Sequence, residues 1–373
     1  MTNIYLLLLF NDYQVTTVFM LDIFHSSSKL LKEFNRHTDS VYSIDYSIFD
    51  DCQFICSGSS DHKVYVWNLE NSGLIQSFKH SDWVYCVKFS PYHYRTRGCN
   101  VICSSSFDNT IRFWDIKNNQ QLQIFNKHTD SVYSIKLSQF NGGRYLCSGS
   151  GDETIRLWDV KTSKSLHVFN GHTSSVWSVD FSPLQSNNKS NSIGVVGGSG
   201  YTICSGSFDT TIRIWDIETA KQVVVFKGHE NALKSVLYGS NEIGNIGGAN
   251  TILSGSDDKS IRLWDIRSGQ QIQIFKGHTH YVYAVEYSPF TVDSCEVGGS
   301  GVICSGSLDG TIRFWDIRSN KSELHIFEGK NGEIYCLKFL KCKKKEQKRK
   351  IYCNRYCINL CYGSRDGSIC IWG

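Results

Sequence analysis

Short runs in which apolar and polar residues alternate recur along the whole chain, and Val132-Tyr-Ser-Ile-Lys-Leu137 is representative. Alternation at period two predicts a strand with one buried face. Small and β-branched residues dominate the run that follows such a segment, as in Ile203-Cys-Ser-Gly-Ser207. A third run carries Thr-Ile-Arg-x-Trp-Asp, and a fourth alternates again and ends in Phe, as in Val223-Val-Val-Phe226. Asp, Asn and Gly separate the runs, and these residues tolerate tight turns. The pattern predicts many short antiparallel strands and no long helix.

The four-run unit repeats. Trp67, Trp114, Trp158, Trp215, Trp264, Trp315 and Trp372 share one context, and five sit in near-copies of Thr110-Ile-Arg-Phe-Trp-Asp115. An aspartate stands six residues before each of them: Asp61, Asp108, Asp152, Asp209, Asp258, Asp309 and Asp366. A Ser-Gly-Ser-like segment precedes each aspartate, and Gly-His or a variant closes each fourth run, as in Lys227-Gly-His229. On these residues the chain resembles the WD-repeat family over about residues 29 to 373. The resemblance implies an all-β, seven-bladed β-propeller of four-stranded antiparallel blades. Radial closure would also hide the sheet edges that an open array would expose.

The last copy supplies three strands, beginning near Glu333 and ending with Ile369 to Gly373. The missing fourth is expected from the other end, because Lys29 to Phe34 followed by His37 mirrors Gln121 to Phe125 followed by His128. Residues 1–28 then form a surplus N-terminal segment, a degenerate half-repeat, and 29–373 form the propeller. Within the surplus, Thr17-Val-Phe-Met-Leu-Asp-Ile23 echoes the tryptophan-bearing strand with Leu21 in place of tryptophan. Seven blades account for the strands better than eight. The excess length of the repeats falls between first and second strands: Ser186 to Gly200, Gly239 to Ala249, Thr291 to Gly301, and the run around Lys341.

Composition changes this picture little. Apolar residues make up 40% and charged residues 20%, which fits a globular chain. The net charge of +4 is concentrated: Lys341 to Lys350 alone carries +6, which leaves −2 for the rest. The body is therefore no basic nucleic-acid platform. Six of the fifteen cysteines, Cys56, Cys103, Cys147, Cys204, Cys304 and Cys361, recur at one place in the repeat. Facing sheets are roughly 10 Å apart, too far for the Cα spacing of a disulfide. These six are expected as small buried apolar groups in a reducing compartment. The apolar stretch Ile4 to Phe10 is far shorter than the roughly 20 residues of a membrane span. No cleavable leader is expected, and the chain reads as cytoplasmic, with a nuclear location as the variant.

In WD-repeat propellers, His, Ser or Thr, Asp and Trp form a buried hydrogen-bonded set. The resemblance carries that role to His37, His80, His128, His172, His229 and His278, with the seven aspartates and seven tryptophans above. One set would contain Ser148, Asp152, Trp158 and His172, the histidine coming from the same blade or from just before the next. A His-Ser-Asp combination invites a catalytic-triad reading. A set copied around a ring is scaffolding instead, since a triad needs its roles met at one pocket. In the last copy Lys330 replaces the histidine and Tyr362 the serine, so its set is expected to be broken and its blade weak.

By the same resemblance, three positions per repeat point to the upper face. The first reads Tyr42, Tyr85, Tyr133, Trp177, Lys234, Tyr283 and Tyr335. The second reads Ser40, Trp83, Ser131, Ser175, Ala232, Tyr281 and Glu333, and the third Ser60, Phe107, Gly151, Phe208, Asp257, Leu308 and Arg365. The aromatic excess, with Leu308, marks a candidate partner-binding surface. A lysine or arginine of a partner is expected among the rings. The basic run Lys341–Lys350 suits nucleic acid, nuclear import or a solvated loop. Cys353, Cys357 and Cys361 have zinc-like spacing but no histidine and no matched second pair, so no metal is expected. The glycine stretches 196–200 and 297–301 lack the lysine of a phosphate loop. No cofactor, small-molecule substrate or membrane partner is expected. The expected function is a non-catalytic scaffold presenting a peptide-binding face within a multiprotein complex. The alternative is a ribonucleoprotein- or chromatin-associated propeller that binds nucleic acid through Lys341–Lys350.

Overall fold

The computed structural model describes residues 21, 24–183, 201–239, 250–289, 301–318, 323–343 and 356–373. They form seven four-stranded antiparallel sheets arranged as the blades of a propeller. Blade one runs from Val41 to Lys79, and blades two to six follow in chain order, their innermost strands beginning at Val84, Val132, Val176, Leu233 and Val282. Blade seven takes three strands from the C-terminus, Ile334–Lys343, Tyr356–Ser364 and Ser368–Trp372, and its outermost strand, Leu30–Asn35, from the other end. Phe34 pairs with Ile369 and Asn35 with Ser368, so the ring closes in the expected register.

The core lies between blades. The phenylalanine that ends each outermost strand packs on the tryptophan of the following blade: Phe78 on Trp114 at 5.0 Å, Phe125 on Trp158 at 4.9 Å, Phe34 on Trp67 at 4.9 Å across the closure. The second strands of six blades carry glycine where the next blade comes close, and blade two has Ser105 there. A Cβ on Gly149 would lie 2.8 Å from Val176 Cγ1, and one on Gly206 would lie 2.7 Å from Val236 Cγ1. The six repeated cysteines are fully buried, as expected, and none is in a disulfide. Burial pushes the thiols of Cys56, Cys103, Cys147, Cys204 and Cys304 well up.

Part of the segment set apart as surplus packs on the propeller. Leu21 and Phe24 are buried among Phe314, Phe327, Leu360 and Tyr362 of blades six and seven. His25 stacks on His325 at 4.6 Å. Most of the echo over Thr17 to Ile23, the insertions 186–200 and 291–300, and the basic run beyond Lys343 lie outside the described residues, as do Cys353 and the side chains of Cys342 and Cys357. Among the described residues, no helix is long and apolar enough to cross a membrane.

Candidate interaction site

Six blades carry the same directed chain of hydrogen bonds. In blade three, Trp158 Nε1–H donates to Ser148 Oγ at 2.8 Å, Ser148 Oγ lies 2.7 Å from His128 Nε2, and His128 Nδ1 lies 2.7 Å from Asp152 Oδ2. A carboxylate only accepts, so Nδ1 carries the proton and Nε2 accepts from the serine. The histidine comes from the loop before the blade it serves. His172 therefore bonds Ser205 and Asp209 of blade four at 2.7 Å each, and it does not join Ser148, Asp152 and Trp158. His37, His80, His229 and His278 repeat the pattern with Asp61, Asp108, Asp258 and Asp309, above Trp67, Trp114, Trp264 and Trp315.

Electrostatics fix the charge states of this wire. Burial lowers the imidazoles of His80, His128, His172 and His229, against the opposing pull of their aspartates. Burial would raise Asp108, Asp152, Asp209, Asp258 and Asp309, but the histidine N–H and nearby hydroxyl and backbone donors outweigh it, and all five sit well below the carboxylate range. The histidines and serines of the wires are buried, and each wire ties the loop before a blade to that blade's second and third strands.

Blade seven is not broken but rewired. The Tyr362 hydroxyl accepts the Lys330 backbone N–H at 2.8 Å. Lys330 Nζ pairs with Glu33 at 2.6 Å, and Asn331 Nδ2 donates to Ser368 Oγ at 2.6 Å and to Glu33 at 3.2 Å. The Lys330 hydrogen bond holds Glu33 below its ordinary value. Asp366 takes hydrogen bonds from Ser364 and Ser368 instead of a histidine. Trp372 has no serine beneath it and packs edge-on against Phe327 at 4.7 Å.

The first upper-face column sits at a local irregularity repeated in all seven blades. The pairing of first and second strands slips between Val41 and Ser43, Val84 and Cys86, Val132 and Ser134, and at each equivalent place. The skipped residue is the column residue, and a bulge re-aims its side chain. Here the side chains turn onto the channel axis. Tyr42, Tyr85, Tyr133 and Trp177 follow one another at 5.0, 4.8 and 4.3 Å between ring centroids. Tyr283 lies 6.2 Å from Trp177 and 4.9 Å from Tyr335, which returns to Tyr42 at 5.0 Å. Burial pushes the Tyr42 hydroxyl up to about 12.

The second and third columns are hydrogen-bonded neighbours in every blade, as Phe107 N–H to Trp83 O at 2.9 Å and Leu308 N–H to Tyr281 O at 3.0 Å. Trp83 and Phe107 lie outside the axial ring, 5.7 Å apart, and are 40% and 42% exposed. Phe208 stacks on Trp177 at 5.2 Å. The cation expected from a partner is already present. Lys234 Nζ sits 4.1 Å from the ring centres of both Trp177 and Phe208 and 5.1 Å from Tyr283, with Asp257 at 3.5 Å. Burial lowers the Lys234 ammonium pKa, and the burial of Asp257 itself raises the Asp257 carboxyl against the opposing pull of Lys234. The position was visible in the sequence, but its partners come from blades four and six on either side of its own blade.

The lower channel holds a ring that the sequence reading passed over. Asp45, Lys88, Lys136, Asp180, Glu286 and Lys338 each stand four residues after the start of an innermost strand. That recurrence was the available signal. Neighbouring blades pair them: Lys136 with Asp180 at 2.9 Å, Lys338 with Glu286 at 3.3 Å, Lys88 with Asp45 at 4.0 Å. Among the described residues, no group of His, Cys, Asp and Glu is arranged to hold a metal ion.

The family model for the WD domain, G-beta repeat, matches residues 28–68, 72–115, 119–159, 163–216, 220–265 and 269–316. That is more than half of the chain, and the chain belongs to this family. Each match begins in the outermost strand of one blade and ends at the third strand of the next. The three C-terminal strands of the seventh blade lie outside the matches, in keeping with its altered polar set. No curated protein matches the chain as a relative.

Proposed function

We propose that the chain is a non-catalytic interaction scaffold whose upper face receives an extended peptide of a partner protein. WD-repeat propellers commonly serve as such scaffolds. The observation that carries the reading is the Trp83–Phe107 shelf: two large aromatics, well exposed, held side by side by a backbone hydrogen bond and backed by Tyr85. Aromatic side chains with few rotors make binding hot spots. The axial seat is filled by Lys234, so the partner's contact is placed on the shelf and not among the central rings. Tyr281 and Leu308 offer a smaller second contact across the mouth. Asp82, exposed beside Trp83, favours a basic residue flanking the peptide's apolar anchor.

The double substitution Trp83→Ala with Phe107→Ala is expected to weaken partner binding by at least about 30-fold, roughly 2 kcal/mol. Pull-down from cell extract with quantitative mass spectrometry reads the effect, and an unchanged melting temperature shows the fold intact. A variant that keeps every partner would rule out the shelf.

A further inference from the structure

The lower end of the channel carries a ring of paired charges, with Arg95 beside it, that the upper-face reading does not use. The carboxylates of the lower ring are tied to the wall by backbone donors as well as lysines. Asp45 accepts the N–H of Phe89 at 2.9 Å, and Asp180 that of Tyr238 at 3.0 Å. Beside the ring opens a cleft of about 390 Å³. Lys88, Lys136 and Lys338 line it, with Arg95, while Asp45 is the only carboxylate among its lining residues. Its outer wall is the helix Pro91–Arg97 packed on the turn at Asn141–Gly143, so closely that a Cβ on Gly143 would stand 2.5 Å from Pro91 Cγ.

Lys88 is the least closely paired of the three lysines, since its nearest carboxylate oxygen is 4.0 Å away. Burial would lower its pKa, but Asp45 and other nearby acidic groups outweigh that and hold the ammonium protonated. Four cations from blades two, three and seven line a space of small-molecule size: Lys136 and Lys338 are paired with Asp180 and Glu286 at its edge, Lys88 is loosely paired with Asp45, and Arg95 lies on the helix beside them. A concave, low-dielectric wall focuses such a field. Lysine supplies point charges and arginine a planar fork, and both suit phosphate oxygens. A compact ligand carrying several negative charges would take over from the shared carboxylates as the counter-charge of these lysines and engage Arg95 as well.

We propose that the lower cleft is a binding site for a small polyphosphorylated anion, either free or as a lipid headgroup. Sodium tripolyphosphate is the probe, titrated calorimetrically into the full chain at fixed ionic strength. Saturable binding with one site is expected. Arg95→Ala, on the exposed face of the helix, should weaken it at least fivefold. Asp45→Asn removes the opposing charge but keeps an acceptor for Phe89 N–H, and should tighten it severalfold. Lys227→Ala, an exposed lysine elsewhere on the molecule, should change nothing. Vesicles containing a phosphoinositide distinguish the sources: sedimentation with vesicles that Arg95→Ala abolishes assigns a headgroup, and its absence beside tripolyphosphate binding assigns a free anion. Unsaturable heat, or equal affinities in wild type, Arg95→Ala and Asp45→Asn, overturns the site.

Discussion

Blade three and blade seven solve the same problem with different chemistry. In blade three a neutral histidine is held between an aspartate and a serine, and the wire is local to one loop and one sheet. In blade seven, residues from opposite ends of the chain must be joined. There Lys330 and Asn331 reach Glu33 on the N-terminal strand. A histidine wire would link the loop to the second strand, the turn after it and the tryptophan of the third strand. The rewired set reaches the outermost strand as well, which in this blade has no covalent connection to the third. Divergence from the repeat is therefore tied to closure and does not amount to decay.

The sharpest way to break this comparison is to remove residues 1–36. The third strand of blade seven would become an exposed edge, and Glu33, Leu21 and Phe24 would be lost with it. Loss of the cooperative thermal transition, or aggregation on concentration, is expected. A soluble variant melting like the full chain would show that the N-terminal strand does not close the ring.

Acid separates the two designs next. The lowered histidines bind protons more readily when unfolded, so their contribution is complete above the ordinary histidine value near 6.5 and declines as pH falls below it. The lowered aspartates add a second decline below about 4. The melting temperature should fall in two stages between pH 7 and 3. Blade seven has no histidine in its set and contributes nothing to the first stage. A flat profile from pH 7 to 5 would show that the imidazoles are not held neutral.

The smallest difference lies between single hydroxyls. Ser205→Ala removes the partner of both Trp215 and His172 and should cost about 1–3 kcal/mol by denaturant titration. Tyr362→Phe removes one acceptor for one backbone N–H and should cost about 1 kcal/mol. Equal costs would mean that the wire is no more cooperative than an isolated bond.

Much of the repeat was legible because each signal is local. The tryptophan–aspartate spacing of six residues lies within one turn and one strand, and the closing strand Leu30–Asn35 copies the others in pattern and length. His172 was misassigned because spacing alone does not say on which side of a blade boundary a loop residue turns. Lys234 stood in the aromatic column in plain view. That it fills the cation seat follows only when Trp177, Phe208 and Tyr283 converge on it from other blades.

The sequence by itself determined the number of blades, the strand that closes them, and the histidines, aspartates and tryptophans from which the six wires are built. Periodicity, turn residues and fixed short spacings are properties of neighbouring positions, and a repeat writes them many times over. Only the tertiary structure decided what the ring does at its axis. Seven bulges, each local, turn seven side chains inward, and which of them touch depends on the curvature of the closed ring. The same closure sets lysines of blades two, three and seven around one cleft, bringing together residues as far apart as Lys88 and Lys338. Contacts across an axis of symmetry have no fixed separation along the chain, so no local pattern could announce them.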